Sequence, residues 1–185
     1  MISKILKEKT HFEHILLEEK LHAERIVQGS YNMADYRQLI EINYRFLQNY
    51  EAEVHDAIPL TMAEKMFLAQ RKKFPAIQQD AAQLGLVISN ETAHKKITNS
   101  AQALGIMYVM EGSSLGGNMI QRHLKKNPEF DQIQFKFLGF YGKSTAEMWK
   151  NFIQTIDQEI KTEADQHECI LGAELAYTYL LGFFD

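Results

Sequence analysis

Apolar residues return every three or four positions through most of this chain, and only three prolines and ten glycines interrupt its 185 residues. Helices are therefore nearly the only regular structure it can form. Ile5, Leu6, Phe12, Ile15 and Leu16 mark a first helix, capped by Ser3 and running toward Gly29. A second fits Met33 to about Ile58, with Asn32 as its cap and Pro59 closing it. Thr61-x-x-Glu64 has the form of a capping box for a third, and Pro75 suits the first turn of a fourth that ends at Gly85. A short piece around Glu91 to Ile97 precedes a cap at Asn99 or Ser100, from which a long helix reaches about Lys126. Ser144-x-x-Glu147 opens another to about Thr162, and a last one runs from about His167 to Phe184. Between them, Phe135, Phe137, Phe140 and Tyr141 crowd the segment from Phe130 to Gly142. It has no second strand to pair with, so an aromatic loop plugging the bundle is expected. The predicted architecture is one all-α domain over residues 1–185.

The formal charge of −4 carries no electrostatic footprint for nucleic acid. Two short basic clusters, Arg71–Lys73 and Lys125–Lys126, read as solvated helix ends and as candidate docking surfaces for a protein partner. The lone Cys169 excludes an internal disulfide and suits a reducing compartment. No run approaches the ~18 apolar residues of a membrane span, and Met1 to Thr10 lacks the pattern of a signal peptide. A cytoplasmic protein is expected.

Two segments carry chemistry. The stretch from Met107 to Asn118, M-Y-V-M-E-G-S-S-L-G-G-N, holds three glycines inside a helical pattern, each costing roughly 1 kcal/mol relative to alanine. Either the helix kinks there, or a bulky flat ligand must touch its backbone. In the first helix, Lys7, Thr10, His14, Leu17, Glu18 and Leu21 fall on one stripe. There Lys7 would lie about 10 Å along the axis from His14. As an iron ligand His14 would use one ring nitrogen and leave the other for Glu18 or a backbone carbonyl. A histidine on one side, bare backbone on the other and cations at the rim suit heme, which is flat, apolar and carries two carboxylates at one edge.

L-K-E-K-T-H-F-E-H (Leu6 to His14), followed by Y-V-M-E-G-S-S-L-G-G (Tyr108 to Gly117), resembles the heme oxygenases. The second motif is most similar to the bacterial biliverdin-producing branch, including the members that supply bacteriophytochromes. Arg71 to Gly85, Trp149-Lys150-x-Phe152 and the aromatic last helix also fit in order and spacing, so the resemblance covers nearly the whole chain. It implies a helical bundle with a heme slot between the first, proximal helix and a glycine-kinked distal helix. By position, His14 matches the proximal iron ligand and Glu18 the carboxylate beside it. Lys7 and Lys150 match cations that hold the propionates. Gly112 and Gly116 match the distal glycines whose backbone lies over the heme, with Gly117 next to them. Ser113 stands where some members have an acid, and a serine can hold a distal water. Tyr141 is expected against the heme, and Tyr108 to pack. Close backbone would direct oxidation sterically to the porphyrin edge while water supplies protons. Heme is then both substrate and cofactor, and the implied products from heme and O2 are biliverdin, carbon monoxide and ferrous iron. Gln154 replaces a propionate-binding arginine of some members, and Met107 and Met110 occupy places held elsewhere by aromatic or small residues.

Two rival readings remain. A non-catalytic heme-binding or sensory protein of this fold is one, although such a relative should have lost either the His14 motif or the glycines. A di-metal carboxylate oxidase is the other, because Glu8/His11, Glu19/His22 and Glu91/His94 are Glu-x-x-His pairs. It needs further inward carboxylates from Glu41 or Glu111, neither of which reads as plainly buried. The chain lacks the strand-turn context of a nucleotide fingerprint and the cysteines of an iron–sulfur cluster. Electrons are therefore expected from a ferredoxin or a flavoprotein reductase.

Overall fold

The computed structural model describes residues 1–89 and 94–184. Nine α-helices are found among them: α1 (Ile2–Lys9), α2 (His11–Lys20), α3 (Glu24–Gln28), α4 (Met33–Ala57), α5 (Leu60–Lys65), α6 (Phe74–Gln83), α7 (Ser100–Leu124), α8 (Thr145–Glu159) and α9 (Glu163–Leu181). Short 3-10 turns stand at Leu68–Arg71, Pro128–Phe130 and Gly142–Ser144. The described residues contain no strand, in line with the all-α expectation. The piece expected at Glu91 to Ile97 begins outside the described residues, as does Glu91 of the Glu91/His94 pair.

Helix α7 is the axis of the bundle and packs against α4, α8 and, most closely, α9. Glycines make that last approach possible. A Cβ on Gly105 would overlap the carbonyl oxygen of Cys169, and one on Gly172 would overlap that of Gln102. Around this crossing Leu104, Ile106, Cys169, Ala173 and Ala176 form part of a continuous apolar core that reaches Tyr36, Phe46 and Tyr50 of α4. Phe130, Phe135 and Phe137 of the aromatic loop are buried in it, as expected of a plug. Burial pushes the Cys169 thiol up to about 12, so it stays protonated and inert.

Helix ends follow the chemistry of their caps. Asn32 accepts from the amides of Ala34 and Asp35, with Asp35 answering in a full capping box, and Asn99 caps α7. Four expectations shift. Ser3 lies inside α1, which starts at Ile2, and its hydroxyl donates to Asp157 Oδ2 at 2.7 Å, so it is not the cap expected of it. Pro59, not Thr61, starts α5, because its fixed φ begins the helix at Leu60 before the Thr61 hydroxyl could cap it. Ser144 makes no capping bond, since it ends a 3-10 turn. Thr162 caps α9 through the amide of Asp165, so the last helix starts at Glu163, ahead of His167.

The expected first helix is broken. Thr10 is buried, its hydroxyl donates to Leu6 O at 2.9 Å, and its backbone leaves helical geometry at φ −102° and ψ 11°. Lys7 therefore sits on α1 and His14 on α2, offset from the straight stripe their spacing suggests.

Candidate functional site

No residue of α2 is fully buried, although the helix carries Phe12, Ile15, Leu16 and Leu17. It lies on α9 and leaves its other side open. His14 keeps 55% of its side chain exposed, and its Nδ1 faces Glu18 Oε2 at 3.6 Å, an ion-pair approach longer than a hydrogen bond. The ring meets Tyr177 of α9 edge-on, with centroids 6.4 Å apart. Burial, the neighbouring Tyr108 and the acidic Glu18 and Glu13 push the Tyr177 phenol well above its ordinary value, while a bond with Thr10 opposes them. Tyr108 in turn packs on Trp149 of α8 at 5.5 Å, so it packs as expected. Tyr177 of α9 thus touches His14 and lies within electrostatic reach of Tyr108 of α7, one helical turn before Gly112.

Helix α7 runs unbroken through its glycines. A Cβ built on Gly112 or on Gly116 would meet nothing within 4 Å, and Leu115 and Met119 on the same face are 40% and 50% exposed. This face is apolar and open down to the backbone. Gly117 differs. Its Cβ would come within 2.9 Å of Leu138 O, so this glycine admits the aromatic loop, and the expectation that it belongs with the open face is corrected.

Lys7 and Lys150 are exposed on α1 and α8, two helices that pack together, and Gln154 is exposed one turn beyond Lys150. Tyr141 is half-buried, and its hydroxyl is engaged within the protein. That hydroxyl donates to both carboxylate oxygens of Glu111 at 2.9 Å, and burial first, then Glu111, drives its acidity down.

The polar cluster behind the open face departs from what the sequence suggests. Arg71 and Lys73 are buried, so the first of the two expected docking clusters keeps only Lys72 exposed, while Lys125 and Lys126 of the second are both exposed. Both cations grip Glu111, which is 2% exposed: Arg71 Nη1 donates to Oε2, and Lys73 Nζ to Oε1 at 2.7 Å. Arg71 also donates to Met66 O, Met148 O and Asn151 Oδ1, tying α5, α7 and α8 together. Lys73 donates to Met110 O at 2.7 Å and stands over the Tyr141 ring. Burial lowers the Lys73 pKa, and Glu111 opposes that shift. Ser113 Oγ donates to the same Met110 carbonyl at 2.7 Å. A signal for this cluster does exist in the chain: a carboxylate at the end of the apolar run from Ala103 to Met110 needs buried cations.

Glu8, His11 and Glu19 of the di-metal reading are exposed, and Glu111 is consumed by its cations. No group of three or more His, Cys, Asp or Glu among the described residues is arranged to hold a metal ion. Nor is any helix among them long and apolar enough to cross a membrane.

The sequence model of the heme oxygenase family matches residues 1–184. A heme oxygenase of Xanthomonas campestris pv. campestris (strain 8004) is 24% identical over 152 residues, 82% of this chain and 90% of the relative. The fold superposes on the NO- and CO-bound heme oxygenase from Neisseria meningitidis with a TM-score of 0.71 and 21% identity, over 100% of this chain and 92% of that one.

Proposed function

The chain belongs to the heme oxygenase family, and we propose that it seats heme between α2 and the open face of α7, with His14 as the iron ligand. Heme, when bound, supplies both the iron at which O2 is reduced and the ring that is opened. Supporting this seat is one observation above all: Gly112 and Gly116 leave open space beside exposed Leu115 and Met119, while His14 stands against Tyr177 of α9, the helix packed on α7.

The Nδ1 side of His14 faces Glu18. Its Nε2 is thereby the nitrogen for iron, and Glu18 fixes the ring orientation and raises its basicity. Lys7 and Lys150, exposed on neighbouring helices, receive the propionates, with Gln154 adding no charge at that rim. Over the other face, Gly112 and Gly116 offer backbone alone. Between the two glycines stand only Ser113, Ser114 and Leu115, so the close backbone would direct oxidation sterically to the porphyrin edge and Ser113 would hold water there. His123, farther along the same stripe, turns its Nδ1 to Met119 O at 2.9 Å. Tyr141 holds Glu111 through its hydroxyl, which leaves its ring as the part that could lie against the heme. The products assigned are biliverdin, carbon monoxide and ferrous iron. A ferredoxin or flavoprotein reductase supplies electrons in the cytoplasm, where the unpaired Cys169 remains a thiol.

Adding hemin to the purified protein should give a 1:1 Soret complex that converts to biliverdin with ascorbate or a ferredoxin couple. His14→Ala should abolish the histidine-ligated spectrum and most turnover. An unchanged spectrum in that variant would show that another residue holds the iron, and a stable Soret band without conversion in the wild type would leave heme binding but remove catalysis.

A further inference from the structure

Met110 O carries more donors than it has lone pairs. Its place inside α7 gives it the amide of Ser114 in the helical ladder. It also accepts Ser113 Oγ at 2.7 Å and Lys73 Nζ at 2.7 Å. A carbonyl offers two lone pairs, so three donors compete for them.

They do not compete equally. The Ser114 amide is fixed by the helix. The Lys73 ammonium is buried, carries charge, and is held by Glu111 at 2.7 Å and by the Tyr141 ring at 5.3 Å. Charged donors make the stronger bonds. The Ser113 hydroxyl is neutral, half-buried and free to rotate about one bond. It is the donor most cheaply released.

We infer that Lys73, seated by Glu111, is a positioning residue that keeps Ser113 Oγ only loosely attached to Met110 O, so that its proton can turn toward a ligand held over Gly112 and Gly116. This rests on heme occupying that face. Removing the ammonium would leave Met110 O to Ser113 and the ladder, and the hydroxyl would stay turned inward.

The probe is carbon monoxide on the reduced heme complex, whose C–O stretch falls when a donor points at its oxygen. Ser113→Ala should raise the stretch, and Lys73→Met should raise it in the same direction without touching Ser113. Because Lys73→Met leaves part of Glu111 unpaired, Lys73→Met/Glu111→Gln is measured beside it, keeping the buried charge unchanged, with thermal unfolding of the heme-free proteins as the folding control. A shift in Ser113→Ala with none in either Lys73 variant overturns the inference, and so does no shift in Ser113→Ala. If the wild type forms no complex, or His14→Ala leaves its spectrum unaltered, the heme seat itself fails and the inference with it.

Discussion

A methyl group added at Gly116 would meet no heavy atom within 4 Å, whereas one added at Gly117 would come within 2.9 Å of Leu138 O. In the heme-free protein Gly116→Ala should therefore behave as an exposed helix substitution and stabilise by up to ~1 kcal/mol. Gly117→Ala should destabilise by about 1–3 kcal/mol, because the loop backbone must move. Hemin affinity should respond in the opposite order, with Gly116→Ala weakened and Gly117→Ala little changed once folded. Urea melts and hemin titrations of the two variants test this, and equal stability losses would mean that Gly116 also serves packing. The sequence pattern treats Gly112, Gly116 and Gly117 as one feature. Only the neighbour each would touch separates them, and that neighbour, Leu138, lies far along the chain.

At the scale of elements, α7 is tied to its neighbours by Glu111 as well as by its apolar contacts. Glu111→Leu would leave Arg71 and Lys73 buried without their carboxylate, so it should cost about 3–5 kcal/mol. Gly105→Ala should also destabilise strongly, because its methyl would run into Cys169 O of α9. Denaturant unfolding reads both, and a loss under 1 kcal/mol for Glu111→Leu would show that the cations find other partners. Most helices are legible in the amino-acid sequence. Asn32, Pro75 and Asn99 announce their ends by local chemistry, and long apolar periodicity fixes type. What the sequence hides is long-range. Arg71 and Lys73 look like surface charges until α7 presents Glu111 from forty positions on. Thr10 looks like one more residue of a stripe, yet its burial breaks that stripe. The site itself is readable as residue types, His14 and the glycines. The spent hydroxyl of Tyr141 is not, since nothing near Tyr141 in the chain names its acceptor.

The whole molecule should answer to pH through a histidine outside the heme seat. His55 ends α4 close to the Arg71–Glu111–Lys73 cluster, and burial, aided by the charges of Lys72 and Lys73 against Glu111 and Asp56, lowers its pKa from 6.5 to about 4. The unfolded chain therefore takes up a proton near pH 6.5 that the folded protein refuses until about pH 4. Stability from this group is complete above about 6.5 and is lost progressively as pH falls toward about 4. Buried Glu51, whose pKa is raised by desolvation against the amides of Lys73 and Phe74, acts in the opposite sense, because folding favours its protonated form. The two can mask each other in a wild-type profile, so the measurement is a difference. Unfolding free energies of wild type and His55→Gln from about pH 7.5 to about pH 4, taken without heme, should converge as pH falls, with the wild type losing more. Parallel curves would mean that His55 titrates alike in both states and that the cluster beside it does not keep it neutral.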